Sequence, residues 1–321
     1  MSLTVVEASG LATIQDSGRK GWRRFGVPMS GPMDIFALQA ANKLAGNPLE
    51  CAAIEIGLGD VIFQALHDCV IAVTGVGYPL SIFAWDFPLW SSFFVRGGWQ
   101  IHLNKADSGM CAYLAVSGGI QIPPMLDSCS TNLRGHFGGL DGRSLQAGDI
   151  LRVVHHHSYH EFVPRTLCAE ARPLYSDHPI VNVIMGPQTK NFTEESIETF
   201  LSNEYTVTTS SDRMGYRLDG PFLSLRNTTE LVSEGMTMGS IQVPASGQPI
   251  VMMADCPTTG GYSKIGTVIS ADLPLLAQCV PSKSRIRFQK TTVAKAQKKY
   301  RELMNGIEKN IVQLEEDDAW Y

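Results

Sequence analysis

Thirty glycines and seventeen prolines are spread along all 321 residues, and they cut the apolar residues into short runs. The runs are Val61–Phe63, Cys69–Thr74, Leu80–Trp85, Phe93–Val95, Gln100–Leu103, Cys111–Ser117, Ile150–Val154, Ile180–Met185, Tyr205–Thr209, Ser240–Val243, Ile250–Ala254 and Arg285–Gln289. Runs this short, closed by Gly, Pro, Asn or Asp, are strand-sized. Even spacing of such runs favours barrels or sandwiches over a parallel βαβ sheet. The expected class is therefore mainly β, of the α+β kind, with few helices.

Three helices carry start signals. Asp34 is placed to cap Ile35–Ala45, where Gly46-Asn47-Pro48 ends the helix. Thr193 is placed to cap Glu194–Leu201, and Thr292 to cap a C-terminal helical strap from Val293 to about Asn305. A weak internal echo pairs Ser30–Met33 and Glu55–Ile62 with Ser211–Met214 and Glu234–Ile241. Chance and duplication both explain it. Duplication implies two similar β lobes meeting near residues 160 to 180, where the polar segment from His155 to Asp177 fits a linker. The expected domains are an N-terminal β lobe over 1–170, a C-terminal β lobe over 171–291, and a helix with an acidic tail over 292–321.

A net charge of −5 argues against nucleic acid as a partner, because neutralising phosphates needs a basic face. Cys69 to Trp90 is the most apolar region, but Gly75, Gly77, Pro79, Asp86 and Pro88 break it, so no membrane span is expected. Seven cysteines without a CxxC pair read as reduced thiols, and the expected location is the cytoplasm. His155-His156-His157 alternate across a strand and do not converge on one ion even with His160 and Glu161 nearby, so no metal site is expected. No P-loop, Rossmann fingerprint, GxSxG elbow, amidase signature or biotin-carrying Met-Lys-Met occurs in the sequence.

The densest chemistry lies between Ser233 and Ile265, where polar groups interrupt strand-like runs. Such groups cost free energy unless they are hydrogen-bonded or face a cleft. Glu234, Gln242, Asp255, Thr259, Gly260, Gly261, Tyr262 and Lys264 fall here, and Asp212 and Arg213 precede them. A lysine among carboxylates serves as an anion clamp, as a desolvated base, or as part of a solvated ion-pair network. Near the N-terminus, Gln15, Asp16 and Arg19 surround a glycine. Arg19 is placed either to clamp a carboxylate or phosphate, or to close a turn with Asp16. Ser117-Gly118-Gly119 and the glycine-rich loop from Ser128 to Asp149 are further candidates.

Seven ordered motifs carry a resemblance. They are Gln15-Asp16-x-Gly18-Arg19, Gly26-Val27-Pro28-x-Ser30-Gly31-x-Met33-Asp34, Ala41-Asn42-x-Leu44-x-Gly46-Asn47, Ser117-Gly118-Gly119-Ile120, Gly138-Gly139-x-x-Gly142-Arg143, Ser211–Gly215 with Ser233–Ile265, and Asp272–Gln278. From Thr13 to Phe288 the chain resembles the allophanate hydrolase subunit 2 family, also called the biotin-dependent carboxyltransferase family. The resemblance implies two β-barrel lobes like the cyclophilin barrel. It implies a partner homologous to the B subunit of 5-oxoprolinase, or to allophanate hydrolase subunit 1, and a separate A subunit. The activity it implies first is ATP-dependent opening of the cyclic amide 5-oxoproline to glutamate, with this chain as the C subunit and ATP used at the level of the complex. It also implies a biotin-dependent carboxyltransferase half-site, or a non-enzymatic antagonist of a histidine-kinase inhibitor. On the first reading Asp212, Glu234, Asp255 and Lys264 are catalytic. Gln15, Arg19, Arg213, Gln242, Thr259, Gly260, Gly261 and Tyr262 bind substrate or anion. Where the family has Gln and Pro, this chain has Pro257 and Ser263, an expected source of altered specificity.

Overall fold

The computed structural model describes residues 2–153, 162–226 and 231–314. The chain forms two compact units: Met1–Arg19, Asp34–Arg172 and Met304–Tyr321 make the first, and Lys20–Met33 with Pro173–Leu303 the second. Set beside the expected break at 170/171, the division falls at Arg172/Pro173. Lys20–Met33 goes to the second unit, because its backbone and Arg23 are tied to carbonyls and arginine of that unit. The residues from Met304 go to the first unit, where Ile311–Gln313 pairs with Arg165–Leu167.

In the first unit two sheets share one core. One sheet runs in the order Ile150–Arg152, Ser2–Ala8, Val61–Ala65, Gln100–Leu103, Leu80–Ile82, Trp85–Phe87. The other runs Leu11–Gln15, Ala53–Gly57, Cys111–Val116, Cys69–Gly75, Ser91–Val95, Arg165–Leu167, Ile311–Gln313. Leu3, Val5, Phe63 and Ile101 from the first sheet pack in one cluster with Ile14, Ile54, Ile71 and Leu114 from the second. Helix α1, Ile35–Leu44, lies on Cys69–Gly75 and Cys111–Val116. Those two strands are covered on both sides, so every residue in them is buried and the sequence shows continuous apolar runs. Asp34 caps α1 by accepting from the Ala37 amide at 3.0 Å. Its own amide donates to Tyr113 Oη at 2.8 Å, and that hydroxyl donates to Glu55 at 2.6 Å. Burial pushes the Tyr113 hydroxyl well above its usual range.

Hydrogen bonding closes into a barrel in the second unit. The ring runs Ile180–Met185, Ser263–Val268, Ser240–Val243, Ile250–Met252, Gly215–Asp219, Glu204–Val207, Arg285–Lys290, and a parallel pairing returns it to Ile180–Met185. Closure removes the exposed edges of a seven-stranded sheet. Helix α2, Glu194–Ser202, is capped by Thr193 and places Phe200 against Phe288 with ring centroids 4.6 Å apart. The short helix α3, Leu273–Ala277, and the terminal α4, Val293–Lys309, complete the four helices among the described residues. The mainly-β class with few helices therefore holds, with one closed barrel and one pair of facing sheets. Leu80–Trp85, expected as one strand, is a hairpin, because Phe83 turns the chain with φ 59°. The two echo fragments occupy unlike places: Glu55 is buried in a sheet of seven strands and Glu234 stands in a ribbon of two. His155–His157, His160, Glu161 and the acidic tail from Glu315 lie outside the described residues. Among those residues no helix is long and apolar enough to cross a membrane.

Candidate functional site

The barrel strands Ser240–Val243 and Ser263–Val268 are neighbours, and Gln242 pairs across the ladder with Lys264. Paired residues project to the same side of a sheet, so the two side chains leave together. A β-bulge between Ile241 and Gln242 shifts the register there, a device that re-aims a side chain. Both residues are buried, at 5% and 9% exposure. Beside them the two-residue strands Glu234–Gly235 and Thr259–Gly260 pair as an antiparallel ribbon, Glu234 opposite Gly260.

Lys264 Nζ donates to Glu234 Oε2 at 2.9 Å and to the Gly235 carbonyl at 3.2 Å. The same carboxylate oxygen accepts from Gln188 Nε2 at 2.8 Å, while Gln188 Oε1 accepts the Lys264 amide at 3.3 Å. The lysine first, and then the Gln188 amide, hold the Glu234 carboxyl below its usual range. Gln188 reaches the strand because its turn begins at Gly186, where a Cβ would lie 2.4 Å from the Lys264 carbonyl. Gln242 Nε2 is buried without a hydrogen-bond partner among the described residues. An unmet buried donor costs about 1–3 kcal/mol, which makes it a natural place for a ligand oxygen. The amide lies against Gly260, where a Cβ would meet Nε2 at 2.4 Å.

Asp255 and Arg213 form a separate cluster. Arg213 Nε bonds Asp255 Oδ2 at 2.8 Å, with both side chains under a tenth exposed, and Arg213 Nη2 donates to the Gly31 carbonyl at 2.6 Å. Asp212 closes the turn before Gly215, its Oδ1 accepting the Met214 and Gly215 amides at 2.8 and 3.2 Å. Tyr262 and Thr259 are exposed, and Gly261 runs beside Leu231 and Ser233. Ser263 Oγ accepts from Asn191 at 3.1 Å.

Gln15 and Arg19 lie in the first unit and are fully buried. Gln15 donates to Thr13 Oγ1 and the Thr131 carbonyl, and Arg19 to the Met125 and Ser130 carbonyls while stacking over Phe137. Asp16 gathers the Gly18 and Cys129 amides and the Ser128 and Ser130 hydroxyls, so this motif ties the loop 128–131 to the end of Leu11–Gln15. Of the residues picked from sequence, the structure brings together Glu234, Gln242, Gly260 and Lys264. It adds Gln188, which no local pattern marks.

Residues 25–290 match the family described as carboxyltransferase domain, subdomain A and B. The chain belongs to this carboxyltransferase-domain family. It is 40% identical over 298 residues to the C subunit of 5-oxoprolinase from Haemophilus influenzae, an alignment covering 92% of this chain and 93% of that one. It is 36% identical to the C subunit of the Escherichia coli 5-oxoprolinase, with the same coverage. The solved Kluyveromyces lactis urea amidolyase superposes with a TM-score of 0.88 at 27% identity, over 99% of this chain but only 20% of the amidolyase. The resemblance seen in the motifs is therefore a family membership, and the fold is that of the carboxyltransferase region.

Proposed function

We propose that this chain is the C subunit of an ATP-dependent 5-oxoprolinase, opening the cyclic amide of 5-oxoproline to glutamate together with the A and B subunits. The observation that carries this reading is the likeness, over 92% of this chain and 93% of each relative, to two proteins named as the C subunit of 5-oxoprolinase. Urea amidolyase is matched only over a fraction of its length. The candidate site suits an amide substrate. Gln242 Nε2 donates to the lactam oxygen, and Lys264 steadies negative charge that develops on it. Glu234 is a carboxylate at neutral pH; it takes the proton of the attacking water and returns it to the lactam nitrogen as the C–N bond breaks, with Lys264 and Gln188 holding it in place. A lone lysine already paired with a carboxylate does not fit a triphosphate, so the ATP that a stable lactam requires is assigned to the A and B subunits. Seven free thiols are in keeping with a cytoplasmic complex.

The test is reconstitution with the A and B subunits and measurement of ATP-dependent glutamate release. Release that continues unchanged when this chain is omitted would overturn the proposal. The second reading, half of a biotin carboxyltransferase site, is favoured by the likeness to the urea amidolyase fold. It requires the complex to bind a biotinylated carrier protein.

A further inference from the structure

We infer that Arg23 is a positioning residue for Glu234; the inference deepens the proposed reading of the Glu234–Lys264 site and rests on it for its catalytic meaning. Glu234 stands on a ribbon only two residues long on each side. So short a pairing is marginal in water and needs anchoring from elsewhere. Beyond Gly235 and Thr259 the pairing continues for one more bond, from the Met236 amide to the Thr258 carbonyl at 2.9 Å. There the guanidinium of Arg23 takes over. Its Nη2 donates to the Met236 carbonyl on one side of the ribbon and to the Pro257 carbonyl on the other, at 3.2 Å for the second. One guanidinium nitrogen thus bridges the base of the ribbon across both strands.

The sequence around Arg23 is built to present it. Gly21 and Gly26, with φ 89° and 81°, bracket the single turn Trp22–Phe25, and the Gly26 amide returns to the Arg23 carbonyl at 3.0 Å. The far end of the same segment is fixed where Gly31 accepts from Arg213, which also holds Asp255. Two arginines therefore hold Asp255–Pro257, Arg213 at Asp255 and Arg23 at Pro257. Arginine suits the task because its second terminal nitrogen, Nη1, meets Cys256 Sγ at 4.0 Å in the same plane, a contact that a lysine has no second nitrogen to make. Pro257, expected from sequence to alter specificity, contributes its backbone oxygen here while its ring is exposed.

The experiment uses the whole chain and reads Glu234 directly. Carbon-detected NMR follows the Glu234 carboxyl through a pH titration, and hydrogen exchange follows the Met236 amide, in wild type, Arg23→Gln and Arg24→Gln. Arg24 sits over Phe25 on the same turn and serves as the control. In Arg23→Gln the Glu234 carboxyl moves up toward its ordinary 4.5. The Met236 amide exchanges about tenfold faster, the effect of losing one charged hydrogen bond. Barrel amides such as Val251 and both readings in Arg24→Gln stay as in wild type. A merely structural arginine would not move the carboxyl selectively. If Arg23→Gln does not fold, Arg23→Lys carries the same two readings, with smaller shifts in the same direction. Unchanged Glu234 titration and unchanged Met236 exchange overturn the inference. In the reconstituted complex, Arg23→Gln lowers kcat with little change in KM. A wild-type complex that is itself inactive strikes the functional reading alone, since the NMR readings decide the positioning role without turnover.

Discussion

Arg213 and Asp255 are both under a tenth exposed and 2.8 Å apart, so removing either leaves a charge buried without its partner. Arg213→Met takes away the ion pair and also the 2.6 Å hydrogen bond to the Gly31 carbonyl. Breaking one side of a buried pair typically costs about 3–5 kcal/mol, most of it from the stranded partner. Hydrogen exchange of the slowest barrel amides reads this in the second unit alone, as a loss of roughly two to four decades of protection. Arg213→Met with Asp255→Leu removes both charges and recovers most of the loss, because the penalty lies in the unpaired ion. A single variant that loses less than about 1 kcal/mol would refute this, since exposed pairs behave that way. Arg213 would then be available to a carboxylate or phosphate, the role that the family resemblance implies for it.

Gly260→Ala puts a methyl 2.4 Å from Gln242 Nε2 and 3.1 Å from Met236. The expected result is a loss of about 1–3 kcal/mol in urea unfolding together with loss of substrate binding, as the amide is pushed out of place. The Glu234 carboxyl is held below its ordinary 4.5, so the stability it contributes is present above that pH and fades as pH falls through the lowered value. Thermal melts of wild type and Glu234→Gln therefore differ at neutral pH and converge in acid; a gap that widens in acid contradicts the assignment. Burial pushes the Cys69 and Cys279 thiols up to about 12. Iodoacetamide at about pH 8 leaves both unmodified in the folded protein by mass spectrometry, and labels them after unfolding.

Much of the fold is legible in the sequence because strand length and punctuation are local. The runs at Ile180–Met185 and Ser240–Val243 are strands with those bounds, and Asp34, Thr193 and Thr292 each accept from an amide three residues on. Gly215–Asp219 and Ser263–Val268 escape notice, since Arg217 and Lys264 interrupt their apolar pattern while the barrel supplies their pairing. Where hydrogen bonding closes a ring is also a long-range property. In the site, Glu234, Gln242 and Lys264 stand out as polar groups in an apolar stretch. Gln188 and Arg23 do not, because their partners lie 46 and 213 residues away. Asp212, Asp255 and Arg213 look equally chemical in sequence. Only geometry shows that the first closes a turn and the other two pair with each other.

The Glu234–Lys264 pair is the centre of the functional account, and its most direct test is turnover by a complex that still assembles. Lys264→Met is combined with the A and B subunits, assembly is checked by size, and ATP-dependent glutamate release from 5-oxoproline is measured. Release at least about a hundredfold below wild type from a fully assembled complex is the expected result, on the order of what removing one charge-stabilising donor costs. Wild-type release from the assembled variant would contradict the account.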